Sequence, residues 1–152
     1  MLPGSLARYP LEVPDLLIAT DSALVYDEVR AAVEEPGVSL RWARSGRIVV
    51  AALEEQPADL VIADLQIGSM GGYAIAMDMA LEAGAGRLPA IPIMLLLDRR
   101  ADVFFAKRIG VTGWLIKPLD PLRTRAGVRA VLAGELYYDP SLAPVPADVL
   151  PV

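Results

Sequence analysis

Ala58-Asp-Leu-Val-Ile-Ala-Asp64 is an apolar run that ends on an acid. Such a run marks a strand buried on both faces, and its last residue puts a carboxylate at the strand's mouth. Asp64 is therefore the first candidate for chemistry. Working outward, Asp15-Leu-Leu-Ile-Ala-Thr-Asp21 also ends on an acid, and Gly113-Trp-Leu-Ile-Lys-Pro118 ends on a lysine followed by proline. The carboxylates of Asp21 and Asp64 and the amine of Lys117 thus cap three apolar strands.

From Asp15 onward, short apolar runs alternate with longer amphipathic segments, the pattern of a parallel sheet covered by helices. Strands are expected at Leu16 to Thr20, Val38 to Arg44, Leu60 to Asp64, Ile93 to Leu97 and Trp114 to Lys117. The second alternates Val38, Leu40 and Trp42 with Ser39, Arg41 and Ala43, which suits a sheet edge. Helices are expected at Ser22 to Glu34, Gly46 to Glu55, Tyr73 to Ala83, Ala101 to Ile109 and Pro121 to Ala133. Pro36-Gly37, Gln56-Pro57 and Gly84-Ala-Gly86 supply stop signals, and Asp120-Pro121 a start signal. The expected fold class is α/β: a doubly wound, five-stranded parallel sheet in the order 2-1-3-4-5, with helices on both faces. The expected organisation is an N-terminal extension over 1–13, one domain over 14–135 and a Pro-rich C-terminal tail over 136–152, where prolines at 140, 144, 146 and 151 forbid a continuing helix. The apolar residues of that tail suit docking, whereas its prolines and terminal place suit mobility.

Composition narrows the chemistry. A chain of 152 residues, 55% hydrophobic, is long enough to bury one core without metals or disulfides. Its longest apolar stretch, Ala90 to Leu97, falls far short of the roughly 20 residues of a membrane span. The first ten residues lack the apolar core of a secretory signal, so a cytoplasmic location is expected. There is no histidine and no cysteine, which removes zinc sites and histidine-based triads. A net charge of −5 gives no push toward nucleic acid or an anionic membrane. Arg99, Arg100, Lys107 and Arg108 cluster, as on a solvated helix face.

In open α/β sheets ligands bind outside the carboxyl ends of the strands, where strand order reverses. In the order 2-1-3-4-5 that crevice lies between strands one and three, so Asp21 and Asp64 face one another. Two carboxylates about 4 Å apart repel by about 4 kcal/mol at an effective dielectric near 20, so one takes a proton or a cation intervenes. A hard divalent ion such as Mg²⁺ meets that need. A carboxylate beside Mg²⁺ and an ammonium is also equipped to attack phosphorus, because the cations neutralise the phosphoryl oxygens. Asp64 is then the nucleophile and Lys117 the phosphate partner. Each residue has a plainer reading too: Asp21, ahead of Ser22, as a turn or cap former, and Lys117 as a surface lysine. Asp64 precedes a glycine-rich loop, Leu65 to Gly72, too long for simple capping.

With Ala19-Thr-Asp-Ser22 after the first strand, Asp64 and its loop after the third, and Lys117-Pro118 after the fifth, the chain resembles a response-regulator receiver domain of two-component signalling over about residues 14 to 135. The resemblance implies a flavodoxin-like fold, a phosphoryl group taken from a histidine kinase or other phosphodonor onto Asp64, and a downstream protein partner. It implies Mg²⁺ held by Asp21, Asp64 and the backbone carbonyl of Gln66, and Lys117 as phosphate partner. No enzymatic activity is implied beyond self-phosphorylation and autodephosphorylation at Asp64. Trp114 falls at the family's aromatic switch position, although packing explains a tryptophan there equally well.

This chain departs from the family pattern at several of those positions. Thr20 stands where the family has a second acid, which predicts weak or absent Mg²⁺ binding. Leu97 stands at the switch position of a Ser or Thr whose hydroxyl bonds the phosphoryl oxygen, and leucine has no donor. Asp98 replaces a small residue, and its charge repels a phosphoryl group unless it points away or helps hold the metal. Gly68 replaces a proline, leaving the loop less restrained. Two readings therefore stand: an atypical phospho-acceptor with altered readout, or a phosphorylation-independent pseudo-receiver acting as an interaction or dimerisation module. A homodimer or partner surface is expected on the fourth helix, fifth strand and fifth helix, where Phe104 and Phe105 are either core or contact residues. A flavin protein would want a phosphate loop where Asp21 stands, and a cobalamin module would want a histidine ligand.

Overall fold

The computed structural model describes residues 13–142. The N-terminal extension up to residue 12 and the tail from residue 143 lie outside the described residues. The strands are β1 (Asp15–Ala19), β2 (Ser39–Ala43), β3 (Leu60–Asp64), β4 (Ile93–Leu97), β5 (Gly113–Ile116) and β6 (Tyr137–Tyr138). The helices are α1 (Ala23–Val33), α2 (Val49–Glu55), α3 (Gly72–Gly84), α4 (Val103–Ile109) and α5 (Pro121–Leu132). All neighbouring strands run parallel, in the order β2-β1-β3-β4-β5-β6.

Alternation along the strands builds two cores. Leu17, Ala19, Val61, Ala63, Leu95, Leu97 and Trp114 point to one face, where Val49 and Leu53 of α2, Ile75 and Met79 of α3, and Ala106 of α4 cover them. Their neighbours Leu16, Ile18, Leu60, Ile62, Met94, Leu96 and Leu115 point to the other face, under Val25 and Val29 of α1 and Val128 and Val131 of α5. Every residue of β3 and β4 is buried, which explains their unbroken apolar runs. This is the doubly wound, flavodoxin-like arrangement, and it brings the carboxyl ends of β1, β3, β4 and β5 to one rim.

Local chemistry sets the ends of the elements. Ser22 caps α1, its Oγ accepting from the Val25 N–H at 3.2 Å. Asp120 caps α5 ahead of Pro121. Two expected helices open instead with a 3₁₀ turn, Gly46–Ile48 before α2 and Arg100–Asp102 before α4. In the second, Asp102 is buried and its Oδ2 accepts from the Arg99 N–H at 2.9 Å, which holds the chain in the tighter turn. The edge position of β2 is as its alternation suggests, with Trp42 stacked on Tyr26 at 4.2 Å between centroids and the Arg44 guanidinium over its ring. Phe104 and Phe105 are exposed rather than core, Phe105 leaning on Tyr73 at 4.7 Å.

The sheet departs from the five-strand expectation by one strand. Tyr137–Tyr138, beyond Glu135 and within the expected tail, pairs with Gly113 and Trp114 of β5. Two residues followed by Asp139-Pro140 carry no periodic pattern, and a strand that short is held by contacts distant in sequence. Among the described residues no helix is long and apolar enough to cross a membrane.

Leu96 is fully buried on central β4, whereas Leu24 on α1 is mostly exposed. Leu96→Ala is expected to lose about 2–5 kcal/mol of stability and Leu24→Ala less than about 0.5 kcal/mol, read from urea unfolding midpoints at unchanged slope.

Candidate functional site

Asp64 ends β3, and its carboxylate is almost fully buried. Both of its oxygens are engaged. Oδ1 accepts from the Lys117 ammonium at 2.6 Å, and Oδ2 accepts from the Thr20 hydroxyl at 2.8 Å. Lys117 follows β5 directly, and its Nζ also donates to Asp98 Oδ1 at 3.1 Å. Asp98 follows β4. The ends of four neighbouring strands thus contribute Thr20, Asp64, Asp98 and Lys117 to one hydrogen-bonded cluster.

Asp21 lies at its mouth. Its exposed carboxylate accepts through Oδ2 from the Gly68 N–H at 2.8 Å, tying the end of β1 to the loop after Asp64. A proline at 68 has no N–H to give, so the glycine supplies a bond that the usual family residue cannot. The loop is held a second time at Gly71, where any Cβ would run into the Leu65 carbonyl. Rather than standing loose, it is tied at its middle, Gly68, and closed on itself where the Gly72 N–H donates to the Leu65 carbonyl at 3.3 Å.

Thr20 is more than a lost acid. Fully buried, it donates to Asp64 while its Oγ1 accepts from the Ser22 N–H at 3.1 Å. Its backbone is held on both sides: the Thr20 N–H donates to the Ala43 carbonyl at 3.0 Å, and the Trp42 indole N–H donates to the Thr20 carbonyl at 2.8 Å. Asp98 turns toward Lys117 and leaves Oδ2 buried with no hydrogen-bond partner among the described residues. Asp102 fixes that turn by accepting from the backbone N–H groups of both Asp98 and Arg99. None of these bonds is readable from strand periodicity; the acid at 98 and the hydroxyl at 20 were the available signals.

Lys117 is the cation of the cluster. Burial alone would lower the pKa of its ammonium, but the hydrogen bonds to Asp64 and Asp98, with the attraction of both carboxylates, hold it above the ordinary lysine value. Lys117 therefore stays charged across the neutral range. The peptide joining it to Pro118 is cis.

The donor chemistry suits a hard cation in kind, since Asp21, Asp64 and the Gln66 carbonyl offer only oxygens, and Mg²⁺ is commonly held by one or two carboxylates with retained waters. Among the described residues no group of three or more His, Cys, Asp or Glu side chains could hold a metal ion, so the set stops at two carboxylates. The two switch positions are apolar in their surroundings. Leu97 is fully buried, Trp114 nearly so, and both belong to the same core cluster. Trp114 is not on an edge strand, because β6 pairs with β5 beyond it, and Tyr138 stacks on its ring with centroids 4.0 Å apart.

The model of the response regulator receiver domain matches residues 16–129. Protein PilH of Pseudomonas aeruginosa is 28% identical over 119 residues, covering 78% of this chain and 98% of PilH. Response regulator protein PmrA of the same organism is 26% identical over 138 residues, and transcriptional regulatory protein ZraR of Escherichia coli 29% over 122. The chain spans 61% of PmrA and 26% of ZraR. Among solved structures, the signal receiver domain of a histidine kinase from Syntrophus aciditrophicus superposes with a TM-score of 0.69 at 28% identity, covering 80% of this chain and 91% of that one. Vibrio cholerae CheY4 shares the fold at a TM-score of 0.65 and 23% identity, covering 79% of this chain and 98% of CheY4. Since the family model runs from β1 into α5, across the strand ends that carry Asp21, Asp64 and Lys117, the chain belongs to the response regulator receiver domains.

Proposed function

We propose that this receiver accepts a phosphoryl group on Asp64 from a histidine kinase or small phosphodonor and regulates a partner protein by surface contacts. The observation that carries the reading is the 2.6 Å contact between the Lys117 ammonium and Asp64 Oδ1 at the shared mouth of β3 and β5. In the transfer, a carboxylate oxygen of Asp64 forms a bond to phosphorus as the bond from phosphorus to the donor breaks, and the donor leaves with its electron pair. Lys117 exchanges a carboxylate for a phosphoryl oxygen and so keeps its charge paired. Asp21, Asp64 and the Gln66 carbonyl are the residues that would hold Mg²⁺, which when bound neutralises phosphoryl oxygens. Thr20 takes no part in the charge balance but holds the acceptor carboxylate in place. The activity is that of a phosphorylatable receiver, with no other enzymatic role.

A second reading draws on a specific observation. Asp98 already gives Lys117 the anionic partner that a phosphoryl group would supply, and Leu97 gives no hydroxyl to read one. This favours a pseudo-receiver working through its surfaces, as an interaction module or a homodimer on α4, β5 and α5, where Phe104 and Phe105 are exposed.

Incubation with Mg²⁺ and acetyl phosphate, followed by intact-mass measurement, separates the two. The phospho-acceptor reading expects one phosphoryl adduct that is lost in Asp64→Asn and without Mg²⁺. Asp98→Ala is expected to raise the adduct yield about fivefold, the effect of freeing Lys117 from a partly exposed ion pair of about 1 kcal/mol. No adduct on either the native chain or Asp98→Ala would reject phosphotransfer and leave the pseudo-receiver. On the pseudo-receiver reading, light scattering at high concentration should give a dimer mass that falls in Phe104→Ser.

A further inference from the structure

The segment after α5 grips β5 from its open side. The Tyr137 N–H donates to the Thr112 carbonyl at 3.0 Å, and the Asp139 N–H to the Trp114 carbonyl at 3.1 Å. Asp139 then turns its side chain back along the strand, and Oδ2 accepts from the Ile116 N–H at 2.9 Å. A carboxylate buried to this degree, 3% exposed, is costly unless it is paired and hydrogen-bonded. Here Oδ1 accepts from the Ser141 N–H at 2.9 Å and lies 3.2 Å from Arg123 Nε, on the first turn of α5.

The rest of the molecule makes room for the segment. A Cβ at Gly127 would come within 2.9 Å of the Tyr137 ring, and one at Gly113 within 2.6 Å of the Tyr137 carbonyl oxygen. Side chains at either place would push Tyr137 off the sheet. Tyr138 lies on the indole of Trp114, nearly parallel at 15°.

Ile116 is the residue before Lys117, whose own N–H donates to the Leu97 carbonyl at 2.9 Å on the other side of the strand. The main chain that carries the pocket's ammonium is therefore pinned from β4 on one side and from Asp139 on the other. We propose that Tyr138 and Asp139 form a latch that positions Lys117 from outside the pocket, coupling the docking of residues 136–142 to the state of Lys117. Coupling of this kind is reciprocal: a partner that lifts the segment changes the pocket, and occupation of the pocket changes how firmly the segment is held. Asp139 acts through Ile116 and is a positioning residue. The inference does not depend on phosphorylation of Asp64.

The chain has two lysines, Lys107 and Lys117, which makes the test direct. Full-length protein is treated with an amine-acetylating reagent, without phosphodonor, and the labelling rates at the two lysines are compared by peptide mass. Exposed Lys107 is the internal standard. In the native chain Lys117 labels more slowly, because its ammonium is shared by two carboxylates. Asp139→Ala is expected to raise the Lys117 to Lys107 ratio several-fold, whereas Asp139→Asn, which keeps an oxygen for the Ile116 N–H, returns it close to native. Tyr138→Ala, at a half-exposed ring, is expected to raise it to a lesser degree. Circular dichroism reports the fold, and if Asp139→Ala does not fold, Tyr138→Ala decides alone. A native ratio in the folded Asp139→Ala or, in its absence, in Tyr138→Ala would overturn the latch, as would an Asp139→Asn ratio as high as that of Asp139→Ala.

Discussion

One ammonium group, that of Lys117, is shared between two carboxylates at the rim of the sheet, and the site is arranged around that sharing. Asp64 ends a strand whose every residue is buried, so its charge sits in a poorly solvated place. A buried charge left alone by removal of its partner costs about 3–5 kcal/mol. Lys117 relieves it only if β3 and β5 end level on either side of β4, and the parallel register Asp64 to Leu96 and Leu97 to Ile116 delivers that alignment. The fold and the site are therefore not separable: the same register that buries the aliphatic strands brings the acid and the amine to one point.

Three departures from the receiver pattern take on a common sense in this setting. Thr20 donates to Asp64, the Gly68 N–H donates to Asp21, and Asp98 accepts from Lys117. Each provides a hydrogen-bond partner to a group that would otherwise look to a metal ion or a phosphoryl group. An anion brought to Lys117 would compete with Asp64 and Asp98 for its ammonium.

The strand ends were legible because burial on both faces leaves only apolar residues until the chain reaches the rim, so Asp64 and Lys117 stand out against their runs. The parallel α/β class followed from the alternation of those runs with amphipathic helices, and the strand order from what is common for five such units. The 3₁₀ turns were not legible, since Gly46–Ile48 and Arg100–Asp102 have residues that fit an α-helix and are turned by caps such as Asp102. Nor was β6, because Tyr137 and Tyr138 meet Thr112, Gly127 and Trp114, partners that no local periodicity can report. Asp98 was recognisable as anomalous, but the direction of its side chain depends on a backbone fixed by Asp102. Phe104 and Phe105 show the limit of spacing arguments: on a short helix at the side of the sheet, helical spacing left both rings facing outward.

How the pocket can communicate with the surface follows from what Leu97 lacks. A hydroxyl at that place could follow an incoming oxygen and carry the movement into the chain, but a fully buried leucine packed in the core with Trp114 has no polar atom to move. A side-chain route through β4 is therefore closed. The main chain of Lys117, by contrast, answers to β4 through the Leu97 carbonyl and to the C-terminal segment through Ile116. Of these two holds the central strand is the rigid one, with all five of its residues buried, while the segment beyond α5 lies at the sheet's edge with Tyr138 half exposed. A change in the charge around Lys117 therefore finds its least resistance outward, toward the edge of the sheet.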